Sequence, residues 1–566
     1  MTALLNAKTN KKQTFLGGAA VLALATAIVK VIGAFYKIPL NRILGADGFG
    51  YFNTAYDIYS VLLMVSTTGL PVAMSRMISE AKTLGQTRQI QQIYRVSRAV
   101  FLSLGVAGAA GMALLCRWLA SAMSSEQSWF AILCLSPAVL FVGLISSERG
   151  FFQGQSNMVP TSVSQVMEAL CKLVVGLGLA FVVMMIYRKG GLITELPTGE
   201  PLPAGSPEAL ALTNAHSKAA GFAILGVTSG TVVASVYLIL RRRKAAAEMQ
   251  DECLDPTVLS GKDTVRKLLS IAIPITLGAA GLQIITTLDT AVYMAQLKGP
   301  AGFAGKAGDD LKGIYNFAQT IFNLPCAFIA PLTVSAIPAI TEQLTLRRRR
   351  RANTIAESAT RVMALIAMPC SVGLVVLARP IMALLGGYTD QGYLDTAEVL
   401  MRILAFCVFF NSFVLVMNAI LQAHGYVSLP VINMVIGGVA KLIINFILVG
   451  NPKINIVGVP VGTVVCYMTI AMLDLFAIQR VMRVPPRLMG NVLKPALASV
   501  LMGAVVLVTQ RLLWLVSSSL VLHAFLPILA AVAVYVVLIL KLKIITREDC
   551  SLLPKGDKIA KLLRIS

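Results

Sequence analysis

The chain is 566 residues long, 57% hydrophobic and only 13% charged, with a mean hydropathy of +0.77. That balance excludes a soluble enzyme or binding module of this size and leaves a polytopic helical membrane protein. The net charge of +23 would suggest a nucleic-acid partner in a soluble chain; here Lys and Arg gather in alternate loops between apolar runs, as topology alone requires, so none is expected.

The first apolar run, residues 15–37, is long enough to cross a bilayer and too long for a cleavable leader, yet it carries Lys30 well inside it. A lysine at mid-membrane costs about 2.5–3.5 kcal/mol on insertion scales, so it is expected to face a wet interior or a partner. Lys37 and Arg42 follow, then the turn GADGFG, which lacks the Lys-Ser/Thr ending of a phosphate loop and so implies no nucleotide motor. A second span over 52–74 leads into a basic segment with Arg76, Lys82, Arg88, Arg95 and Arg98. Spans over 97–121 and 129–152 follow, and then 160–187, where Glu168 precedes Lys172 by one helical turn and is expected to neutralise it. The connector 188–218, with ELPTGEPLPAGSPE, reads as a flexible outer loop, and it contains no aspartate such as a membrane glycosyltransferase would place there.

After the span at 219–240 comes a basic cytoplasmic linker, 241–267, opening with RRRK. Span seven, 268–296, holds Asp289 among Thr286, Thr287 and Thr290, a carboxylate that at such depth needs a proton or a cation and is therefore the expected coupling site for Na+ or H+, the alternative being a structural partner for one of the lysines. Asp57 and Asp474 lie close enough to span ends for ordinary solvation to suffice. Spans over 315–341, 360–385 and 396–422 follow; Arg402 near the start of the last is placed to snorkel. Lys441 in the span 428–450 has no acidic residue at helical spacing, which marks it for an anionic ligand. Spans over 456–479, 492–514 and 521–541 bring the expected count to fourteen, with both termini cytoplasmic. The basic tail from Lys541, with Ile559, Leu562 and Leu563, suits a surface-lying helix. The nine cysteines, without CxxC spacing, and three scattered histidines suggest no disulfide framework and no metal site.

An internal repeat runs through the chain. Gln153 and Lys172 correspond to Gln422 and Lys441, and Gly50 and Asn53 to Gly313 and Asn316. Six helices per unit give two copies of one orientation, related by an axis along the membrane normal. The domain reading is an N-terminal six-helix lobe over 1–240, the linker 241–267, a C-terminal lobe over 268–487, and two additional helices with a basic tail over 488–566.

The run KKQTFLGGAAVLALATAIVKVIGAFYKIPLNRILGADGFGYFN, with STTGLPVAMSRMISEA and ERGFFQGQSNMVPTSVSQVMEAL, resembles the stage V sporulation protein B branch of the multidrug/oligosaccharidyl-lipid/polysaccharide (MOP) exporter superfamily, to which MurJ-type lipid II flippases belong. The resemblance implies two six-helix lobes around a central cavity plus two C-terminal helices. It also implies transport across the bacterial cytoplasmic membrane of an undecaprenyl-pyrophosphate-linked glycan or peptidoglycan precursor, with no enzymatic step and no cofactor beyond a coupling ion. Basic residues on the first helix meet the diphosphate in that family, so Lys30 and Lys37, joined by Arg42, Lys172 and Lys441, are the expected substrate-binding residues. Cell-wall synthesis proteins are the expected protein partners. The rival readings are a cation-coupled drug exporter of the same superfamily, which would want buried carboxylates, and a membrane glycosyltransferase, which would want catalytic acids.

Overall fold

The computed structural model describes residues 15–190, 206–248, 260–388, 390–482, 485–486, 488, 490–516, 520–542 and 544. Among these every regular element is helical, as backbone in a hydrocarbon solvent demands. Helices α1 (Phe15–Thr67), α2 (Gly69–Thr83), α3 (Thr87–Leu114), α4 (Cys116–Ala122), α5 (Trp129–Gly154), α6 (Val159–Cys171), α7 (Leu177–Lys189) and α8 (Pro207–Glu248) form the N-terminal half. Helices α9 (Gly261–Lys298), α10 (Lys306–Thr345), α11 (Arg349–Val376), α12 (Ala378–Gly386), α13 (Gln391–Ala423), α14 (Ser428–Val449) and α15 (Gly458–Val481) form the second half. The last two, α16 (Gly490–Val516) and α17 (Leu520–Lys541), pack on α11 and α12 outside the repeat. By length and composition 11 helical stretches among the described residues suffice to cross a membrane, fewer than the fourteen expected. One of these, Ile28–Thr83, is 56 residues long and contains the expected second span with less than half of the first.

The first span and most of the second lie along α1, which breaks at Gly45, with φ 69° and ψ 178°. Glycine is needed there twice over: φ is positive, and a Cβ would sit 2.9 Å from the His216 ring. The expected flexible connector 188–218 is helical from Pro207 onward. Ser206 Oγ accepts from the Ala209 amide at 3.2 Å, and Pro207 follows at the first helical position, so a helix start was present in the loop's own sequence. Residues 191–205, part of the linker and the basic tail lie outside the described residues.

The two halves cross most closely where α1 meets α10. A Cβ on Gly50 would lie 2.7 Å from the Asp309 carbonyl oxygen, and one on Gly313 would overlap the Ala46 carbonyl. The offset that relates Gly50 to Gly313 also relates Ala46 to Asp309, so these are symmetry mates of one contact. Phe49 and Phe317 stack edge-to-face beside it, with ring centroids 6.2 Å apart. This crossing stands at the end that the Lys/Arg distribution assigns to the outside. At the opposite end, Leu268 and Ala272 of α9 join a buried apolar cluster otherwise built by N-terminal-half helices, and Lys267 Nζ meets Glu80 at 3.1 Å.

Candidate functional site

Between the two crossings a group of lysines converges from four helices. Lys30 is exposed and has no ion-pair or hydrogen-bond partner among the described residues; it lies within electrostatic range of the buried Cys326 thiol on α10, so it faces the other half. Two turns further along α1, Lys37 Nζ reaches Asn53 Oδ1 at 3.5 Å and feels the charges of Lys172 and Asp57.

Lys172 opens a π turn, Lys172–Gly176, between α6 and α7; such turns shift the helix register locally and recur at functional sites. Among the described residues its ammonium makes no ion pair with Glu168, contrary to what the helical spacing suggested, although that carboxylate's charge still acts on it. Glu168 pairs instead with Arg149 of α5 at 3.2 Å. Lys172 Nζ sits 4.5 Å from the ring centroid of Tyr56, 5.0 Å from that of Tyr36 and 5.9 Å from that of Phe52, and donates to the Tyr56 hydroxyl at 3.4 Å. Ring quadrupoles hold the cation without cancelling its charge, so it stays available to an anion.

Lys441 is placed differently from its expectation. Its Nζ lies 2.8 Å from Asp289 Oδ2, and Asn445 Nδ2 donates to Asp289 Oδ1 at 2.6 Å. The sequence showed no acid near Lys441 because this acid comes from α9, far away in the chain. Asp289 correspondingly spends both oxygens on α14, and its threonine neighbours turn elsewhere: Thr287 Oγ1 donates to the Asp57 carbonyl, Thr286 to that of Gln283 and Thr290 to that of Thr286. Arg42 stands outside the group. It is exposed and donates to the carbonyls of Leu385, at 3.3 Å, and Leu384, satisfying open acceptors at the end of α12. Arg402 pairs with Glu398 at 2.5 Å on the helix surface.

Two members were missed. Lys312 is fully buried, donates to Thr54 Oγ1 at 2.5 Å and stands 3.7 Å from Asp57 Oδ2. In the sequence it follows Asp309 and Asp310 ahead of an expected span, which made it look like a solvated loop lysine; only its place beside the repeat glycine Gly313 hinted otherwise. Asp57 is no solvated span end either. Its side chain keeps 34% exposure while it interacts with Lys312, Lys37 and Lys441, so it opens onto a recess between the halves. Asp474, by contrast, is wholly buried in the second half and accepts from Asn433 Nδ2 at 2.8 Å.

Among the described residues the recess is electropositive: Lys30, Lys37, Lys172, Lys312 and Lys441 outnumber Asp57, Asp289 and Glu168, and Glu168, whose charge still reaches Lys172, is itself paired with Arg149. Among the described residues no group of three or more His, Cys, Asp or Glu side chains is suited to a metal. Two helical halves around a charged internal recess define the architecture of a polytopic helical membrane protein.

The sequence profile of the lipid II flippase MurJ family matches residues 40–531, and the chain belongs to that family. It is 26% identical over 445 residues to the lipid II flippase MurJ of Bacillus subtilis (strain 168), covering 76% of each chain. It is 24% identical over 546 residues to stage V sporulation protein B of the same organism, covering 96% of this chain and 98% of the relative. Among solved structures, lipid II flippase MurJ in an inward closed conformation superposes with a TM-score of 0.65 at 14% identity, over 91% of this chain and 97% of that one.

Proposed function

We propose that the protein moves an undecaprenyl-pyrophosphate-linked glycan or peptidoglycan precursor from the inner to the outer leaflet by alternating access. The carrying observation is the excess of positive charge in the recess, above all Lys172, whose ammonium lies against aromatic faces with no carboxylate in ion-pair contact among the described residues. A diphosphate entering a low-dielectric recess must be met by cations that no acid has already claimed. Membership of a flippase family supports the reading at the level of a lipid-linked precursor. The excess of lysines disfavours a drug exporter for organic cations, which a recess of this sign would repel.

Coupling to sodium or protons belongs to the proposal. An ion reaches Asp289 only when the Lys441 ammonium leaves it, so a coupled state requires that pair to open. The test is translocation of a fluorescent undecaprenyl-diphosphate sugar in proteoliposomes. Lys30→Ala and Lys172→Met are each expected to lower the rate at least tenfold without loss of folded protein, since one charge–phosphate contact contributes about 1.5–3 kcal/mol. Efflux of cationic dyes in place of lipid translocation would reverse the choice.

A further inference from the structure

At the outer crossing three carboxylates meet three basic groups in the seam between the halves. Asp47 of α1 is buried; its Oδ1 lies 2.6 Å from His216 Nδ1 of α8 and its Oδ2 3.6 Å from Lys306 Nζ of α10. Asp309 of α10 accepts from Ser125 Oγ, across the seam, at 2.9 Å and pairs with Lys298 of α9 at 2.8 Å. Asp310 differs from both. It is 5% exposed, has no cation in salt-bridge reach among the described residues, and accepts from the Tyr393 hydroxyl of α13 at 2.7 Å. The charge it feels most strongly is that of Asp47 in the opposite half, with Lys306 and His216 acting more weakly in the other sense. The Tyr51 hydroxyl of α1 completes the surroundings, within range of Asp47, Asp309 and Asp310 together.

We propose that Asp310 is a proton-operated latch: protonated, it allows the halves to close over Asp47; ionised, it drives them apart, so that each outward opening releases a proton to the outer side. Two carboxylates near enough across a buried seam for one to feel the other's charge are costly to ionise together. Burial, and then Asp47, push Asp310 up to about 7 in the closed state. Once the seam opens to water, Asp310 returns to an ordinary carboxylate value of about 4. The closed state therefore binds the proton more tightly. Its advantage is complete in acid, declines through the window from about pH 4 to about pH 7 and is flat above it. Between pH 8 and pH 6 the closed-to-open ratio should rise about tenfold.

The inference rests on the alternating-access reading, and its test separates the two. Spin labels on Ser121→Cys and Lys453→Cys, exposed outer positions of the two halves, report the seam distance in full-length protein in nanodiscs with the native cysteines replaced. The short-distance population should grow about tenfold relative to the long one from pH 8 to pH 6. Asp310→Asn should hold the seam closed and abolish the pH response. Tyr393→Phe, which removes a donor to the ionised form, should move the midpoint to higher pH, and His216→Asn should leave the slope in place. A pH-invariant distance distribution, or a full response surviving in Asp310→Asn, overturns the latch. Lipid translocation with a pH-invariant seam sinks the latch and leaves the flippase; a pH-governed seam without lipid translocation does the reverse.

Discussion

Replacing Lys441 by Met tests the electrostatics of the recess most directly. In the native protein its ammonium stands 2.8 Å from Asp289, whose side chain is 4% exposed. At that distance the attraction is about 6 kcal/mol for an effective dielectric near 20. Much of it offsets the cost of taking both charges out of water, but removing one partner leaves that cost standing, and losses of about 3–5 kcal/mol are typical. Lys441 keeps 17% exposure and Asn445 still donates to the orphaned carboxylate, so we expect about 3 kcal/mol for Lys441→Met. Asp289→Leu should cost a similar amount, whereas the double variant, which buries neither charge, should cost less than either alone, a coupling of about 3 kcal/mol or more. Equilibrium unfolding in mixed micelles, followed by tryptophan fluorescence, reads all three. Additive losses would show that the pair does not act as a pair and that Lys441 is free for substrate after all.

Three further outcomes follow from the packing. Gly313→Ala places a methyl group against the Ala46 carbonyl, so the closed outer crossing should lose about 1–3 kcal/mol and the spin-label pair should shift towards the long distance. Glu148 is fully buried, accepts from Tyr94 OH at 2.6 Å and pairs with Arg242 at 3.3 Å; Glu148→Gln should lower stability by about 1–3 kcal/mol, read as a fall in detergent melting temperature. Arg379, by contrast, makes contacts with Asp395 and Glu398 at 2.7 Å in a solvated setting, and Arg379→Ala should change the same melt by less than about 1 kcal/mol. A large effect there would count against reading that network as surface decoration.

Composition and hydropathy alone determined that the chain is helical and lies in a membrane, because a hydrocarbon solvent leaves the backbone almost no alternative. Local spacing likewise marked Lys30 and Lys37 as costly charges on one helix. The repeat paired Gly50 with Gly313, but it took the structure to set both at the crossing of α1 and α10, where each glycine admits the other's helix. Only the tertiary structure decided which charges remain free. Glu168 lies one turn from Lys172 yet goes to Arg149, Asp289 comes from α9 to claim Lys441, and Lys312 is drawn out of an acidic stretch to meet Asp57. Ion pairs in a low-dielectric interior are set by distances of a few ångströms between helices, and helical periodicity carries no information about the partner on another helix.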